Sequence, residues 1–298
     1  MNKRQLTPLE GISYYSPSDD FQLNGRDGLV SISWHGKPAI PLLDEDFAAL
    51  NSGEPDYDMV GRGIYQALRL DADCVWAAEY ASVLKEAYPH IVAELGGQIV
   101  MLDAKEVDSP YLDRKINFLK IMALFDPDNA GLLLEIARTY MDKGSRLSSM
   151  QYAVVCWYAA EKQLAAALSM SPEDKHIRYE YGEALYMLGR YRQAAEIWSN
   201  LSDSLEPSEK ARIEARVVSI NAAKTPAVPP VDYLTALSVA VEQQHNGFNS
   251  DAAAIIEDVL SDSVFVDQFP MNEVYYLLGI CYQECGQMAE AAEAFKRS

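Results

Sequence analysis

Cys281 and Cys285 stand four residues apart in this 298-residue sequence. On a helix that spacing puts two thiolates on one face, the arrangement a soft metal would need. No histidine lies near them in sequence and Cys281 falls among apolar positions, so packed thiols are the expectation. Asp126-Pro127-Asp128-Asn129-Ala130-Gly131 opens like a calcium loop, but Ala130 occupies the fifth ligand position and Ala137 the closing glutamate position. A helix-to-helix turn with an N-cap is expected there instead. The four histidines, His35, His90, His176 and His245, are scattered, and none joins a serine or cysteine in a string that would activate a nucleophile. Gly61-Arg62-Gly63 runs into Ile64-Tyr65-Gln66, so neither a dinucleotide fingerprint nor a phosphate loop follows. Asp44-Glu45-Asp46 reads as a solvated face. No catalytic residue, metal site or cofactor is expected; dispersed carboxylates leave only a hydrolase open as an enzyme class.

Composition narrows the partners. The 25 Lys and Arg face 44 Asp and Glu, for a net charge of −19 and a pI near 4.5. Such a field repels a phosphate backbone, so nucleic acid and anionic membrane surfaces are excluded as expected partners. Hydrophobic residues make up 49% of the chain, enough for a buried core, and the length suggests about two domains. No run approaches the 18 or so apolar residues of a membrane span. The start, MNKRQLTPLE, lacks an apolar segment behind its basic residues, so no secretory signal is expected. Four cysteines are too few for a disulfide framework, and a reduced cytoplasmic location is the expectation.

Two regions must position whatever the chain does. Residues 1–57 are broken by Gly11, Pro17, Gly25, Gly28, Gly36, Pro38, Pro41, Gly53 and Pro55, which no long helix accepts. Leu29 to Trp34 alternates like a strand, His35-Gly36-Lys37 reads as a turn, and Pro38 to Pro41 would return as a short edge strand. A small hairpin and an irregular arm over the first helices both fit this stretch. From residue 58 to 298 the apolar spacing is i, i+3, i+4, i+7 in segments of 12–20 residues, which predicts an all-α domain. A stiff Pro-rich linker is expected near residues 225–230.

Internal repetition is plain in that domain. Gly182 is followed by Gly189, Ala194 and Trp198, and Gly279 by Gly286, Ala291 and Phe295, at identical offsets. A third copy has Ala137, Tyr140 and Gly144, and its second half (Ala160, Leu164, Ala167, Pro172) arrives about eleven residues late. Tyr275, Leu278, Gly279, Tyr282, Ala291 and Phe295 together match the pattern W-x2-L-G-x2-Y, A-x3-F. The region resembles the tetratricopeptide repeat, with its clearest units at 130–174, 175–208 and 272–298. That resemblance implies a right-handed solenoid of antiparallel helix pairs, with small residues where paired helices cross and the aromatics Tyr282, Trp198 and Phe295 filling the gaps between pairs.

The resemblance also implies a site. Positions 2, 5, 9 and 12 of each first helix would line a concave peptide-binding groove: His176, Tyr179, Glu183 and Tyr186 in one repeat, Glu273, Tyr276, Ile280 and Gln283 in another, and Leu134, Arg138 and Met141 in a third. Tyr179 and Tyr276 would equally serve as packing against a neighbouring helix. Family members that clamp a C-terminal carboxylate use Lys at position 5 and Asn at position 9. Tyr179 and Glu183, or Leu134 and Arg138, stand there instead, so a clamp is not expected. Residues 225–298 carry 11 acids and 2 bases, which favours a partner segment with basic residues around an apolar anchor. The expected function is a non-enzymatic scaffold for protein–protein interaction. Self-assembly through the last helix pair, which has no polar capping helix after it, is the alternative; a small helical enzyme or regulatory domain whose activity is carried by residues 1–57 is a third.

Overall fold

The computed structural model describes residues 8–25, 31–103, 109–199, 201 and 205–298. They form fifteen α-helices and four short strands, so the fold class is all-α with a stranded N-terminal extension. The chain divides into two compact units, Met1–Leu132 and Leu133–Ser298.

In the first unit, β1 (Ile12–Tyr15) pairs antiparallel with β4 (Ile40–Leu43), and β2 (Gln22–Asn24) with β3 (Ser31–Ser33). The expected hairpin between residues 29–34 and 38–41 does not form. β3 turns back on β2 because alternation puts Leu23 and Ile32 opposite each other on the same inward face, with exposed polar neighbours on either side. Leu29 and Val30 lie outside the described residues. The turn at His35-Gly36-Lys37 does form, closed by the Lys37 N–H on the Trp34 carbonyl, with Gly36 at φ +73°. Helix α1 (Asp44–Ala49) follows β4, and α2 (Tyr57–Leu70) lies on it, started by the Asp56 side chain accepting from the Met59 N–H. A Cβ at Gly63 would sit 1.9 Å from the Pro41 carbonyl oxygen, so this glycine sets how closely helix and strand approach. Phe21, Leu23, Trp34, Ile40 and Leu42 share one core with α2, α3 (Ala77–Ala87), α4 (Pro89–Asp103) and α5 (Ser109–Phe125).

The second unit contains most of α6 (Ala130–Ser145), a 3-10 turn at Leu147–Tyr152, α7 (Ala153–Met170), α8 (Lys175–Met187), α9 (Tyr191–Trp198), α10 (Pro207–Asn221), α11 (Pro230–His245), α12 (Asn249–Ser261), α13 (Ser263–Val266), α14 (Asn272–Glu284) and α15 (Met288–Arg297). The Pro-rich stretch separates α10 from α11. The tightest associations are the sequential pairs α8/α9, α11/α12 and α14/α15. Each pair turns through one left-handed glycine, Gly189, Gly247 or Gly286, at φ between +74° and +83°. Each turn carries the same two hydrogen bonds: in the first, the Arg190 N–H donates to the Leu185 carbonyl at 2.8 Å and the Gly189 N–H to the Tyr186 carbonyl at 3.0 Å. This is the Schellman closure, in which orphaned helix carbonyls are satisfied by the next residues. The crossings fit the small residues: a Cβ at Gly182 would lie 2.1 Å from the Trp198 indole nitrogen, and one at Gly279 2.5 Å from the Phe295 ring.

Candidate functional site

The delayed second half of the third repeat is where the candidate site begins. Between α6 and α7 the chain makes the 3-10 turn, which places Leu147 and Met150 against α11. With Trp157 of α7, Glu183 and Met187 of α8, Leu234 and Leu237 of α11, and the segment Phe269–Val274 leading into α14, they enclose a cleft of about 470 Å³. The walls are apolar and largely buried. The Trp157 indole N–H is buried as well and has no acceptor among the described residues. Leu147, Asn272 and Glu273 also border an adjoining cavity of about 460 Å³ on α14, lined by Tyr276, Leu277 and Ile280. The two form one continuous apolar surface with the Glu273 carboxylate exposed between them.

A buried carboxylate sits in the wall, with one of its arginine partners, Arg212, lining the cleft beside it. Glu183 is 4% exposed, and its carboxylate accepts from Arg216 Nη1 at 2.7 Å on both oxygens and from Arg212 Nη2 at 2.8 Å. Both arginines come from α10. Arg216 is 2% exposed and stacks on the Tyr186 ring, with Cζ 4.3 Å from the centroid. The pair is anchored well enough that removing either partner would strand a buried charge.

The structure brings Glu183, Glu273, Tyr276 and Ile280 together along this surface. The other expected groove residues are placed elsewhere. Tyr186 is fully buried, and its hydroxyl donates to Gln268 Oε1. Tyr179 is 8% exposed, and burial pushes its phenol above the ordinary range. Both are core side chains here, because α10 and the stretch around Phe269 cover the face that consecutive repeats would leave open. Leu134 and Met141 are buried. Arg138 is committed to Glu135 and Glu180, each at 2.9 Å; burial raises the Glu180 carboxyl while Arg138 pulls it down. His176 and Gln283 are exposed away from the cleft.

The remaining chemistry-bearing strings resolve into structure. Cys281 is buried, its thiol pushed up to about 11 by desolvation, while Cys285 is exposed one turn on. Asn129 caps α6 by accepting from the Leu132 N–H and is held by Asp126 at 2.9 Å. No described helix is long and apolar enough to cross a membrane.

Against known families, the tetratricopeptide repeat profile matches residues 157–200, which span most of α7 and all of α8 and α9. The chain thus carries a tetratricopeptide repeat at the helix pair where Gly182 meets Trp198. No curated protein sequence matches the chain. Solved structures similar to it include one of MamA protein, at 17% identity over 70% of this chain and 88% of that one, with a TM-score of 0.28. Another is a tetratricopeptide repeat protein from Parabacteroides merdae, at 14% identity over 85% of this chain and 89% of that one, with a TM-score of 0.25. Superpositions this loose transfer no residue or activity. The repeat itself is a helix-pair unit whose arrays serve protein–protein interaction.

Proposed function

We propose that the protein is a non-catalytic interaction scaffold, working in the cytoplasm, that holds a polypeptide segment in the cleft between the 3-10 turn, α11 and α14. The observation that carries this reading is the continuous apolar surface running from Trp157 and Leu237 past Leu147 to Tyr276 and Ile280. Its dimensions suit one or two apolar side chains of a partner, with Tyr276, 55% exposed, as the amphipathic contact at its open end. Glu273 and the surplus of acids after residue 225 favour basic residues flanking the anchor, attracted chiefly during approach.

The test is a peptide array with apolar anchors flanked by lysine, followed by surface plasmon resonance on the binders. Tyr276→Ala is expected to weaken binding by about 1–2 kcal/mol through faster release. Raising salt should chiefly slow association. Affinity unchanged in both Tyr276→Ala and Leu147→Asp would remove the cleft as the site. A second reading is self-assembly, favoured by Tyr276 and Met288 standing 55% and 64% exposed on α14 and α15. Sedimentation mass that rises with concentration, and falls back in Met288→Glu, would support it.

A further inference from the structure

Arg216 uses only part of its donor set. Nη1 is spent on Glu183, but Nη2 is buried and finds no acceptor among the described residues. Buried donors are matched as a rule, and a charged one left alone is costly. The surroundings define the acceptor that fits. Arg216 lines a cavity of about 460 Å³ together with Arg212, Ser219, Lys224, Asp267 and Gln268. Two guanidinium groups and an ammonium therefore face one carboxylate, in a chain whose net charge is −19. Glu183, behind the wall, offsets only one of the three cations. Gln268 spends its carbonyl oxygen on the Tyr186 hydroxyl, which leaves its amide as a further donor. The site's main cation and the backbone that carries Lys224 are held in place. Arg216 is pinned by Glu183 and the Tyr186 ring, and the backbone of Lys224 is fixed just beyond α10 by its N–H on the Ser219 carbonyl and its own carbonyl accepting from the Ser219 hydroxyl.

We propose that this cavity binds a phosphate group, with Arg216 and Arg212 as its guanidinium partners and Lys224 as the third cation. Planar N–H forks match phosphate oxygens, and donors converging from several sides suit a tetrahedral dianion better than a flat carboxylate. The site borders the peptide cleft, with which it shares Arg212, and the rest of its lining is its own. Its phosphate is either a free anion or the ester of a small molecule whose organic part rests on Ala215 and Val264.

The experiment titrates the full chain with inorganic phosphate and with phenyl phosphate at low ionic strength. Calorimetry gives affinity, and heteronuclear NMR locates the perturbed resonances. Saturable binding of one anion per chain is expected, with shifts confined to residues 212–224 and 264–268. Equal affinities would identify the free anion, and a tighter phenyl phosphate the ester. Lys224 is exposed, so Lys224→Gln should fold normally and weaken binding about fivefold or more. Lys296→Gln removes the same charge from a side chain 74% exposed on α15 and should leave binding unchanged. Absence of saturable binding by either probe would overturn the proposal. Shifts elsewhere, or equal losses in the two lysine variants, would do the same.

Discussion

Gly182 and Gly97 are both helical glycines, and their surroundings give them opposite roles. A methyl group at Gly182 would be driven into the Trp198 indole, whose N–H is already held by the Tyr179 carbonyl at 3.2 Å. A methyl group at Gly97, on α4, meets nothing within 4 Å. Gly182→Ala should therefore destabilise by about 1–3 kcal/mol through overpacking, while Gly97→Ala should stabilise by up to about 1 kcal/mol through helix propensity. Denaturant melts of the two variants check both signs, and a stabilising Gly182→Ala would mean that the helices are not in contact there. The close approach at Gly182 and Gly279 was legible in the sequence, because a repeat preserves offsets; that Trp198 and Phe295 would lie on those glycines within a pair, rather than between pairs, was not. Nor was Tyr186. Its neighbours Arg216 and Gln268 lie 30 and 82 residues further on, outside any local pattern, and they turn an expected binding surface into core. Leu147, Met150 and Trp157 left one trace, the eleven-residue delay between the halves of the third repeat.

At the scale of the element, α10 ends in the same Schellman hydrogen bonds as the three helix pairs. The Lys224 N–H donates to the Ser219 carbonyl at 2.9 Å and the Ala223 N–H to the Ile220 carbonyl at 3.0 Å. The residue in the left-handed position is Ala223, at φ +55°, where the others have glycine. A Cβ in that region costs about 1–2 kcal/mol, part of which glycine returns as unfolded-state entropy. Ala223→Gly is expected to raise stability by about 1 kcal/mol, measurable as a higher melting midpoint; a lower midpoint would refute the strain. Glycine punctuation made the helix turns at 189 and 286 readable. Strand pairing escaped, because alternation in residues 29–34 tells which side chains face inward and not which strand lies alongside. Pairing was decided by the match of Leu23 to Ile32, a contact with no signature of its own.

Over the whole molecule, closeness in sequence and closeness in space coincide within the helix pairs of the second unit and diverge at the Tyr186–Gln268 bond, across 82 residues. That difference sets an order in time. A hairpin closed by a three-residue turn loses little loop entropy before its contacts form, whereas a distant partner must wait for the intervening chain to be arranged. The α8/α9 hairpin is expected to be formed in the transition state for folding, and the Tyr186–Gln268 and Glu183–Arg216 locks to close afterwards. Stopped-flow chevrons monitored by tryptophan fluorescence separate the two. Ala194→Gly should slow refolding with little effect on unfolding, and Gln268→Leu should chiefly accelerate unfolding. The reverse pattern would mean that the distant contacts nucleate the chain. In the expected order, the buried cation on Tyr186 is a latch: it governs how long the assembled unit persists rather than how quickly it forms.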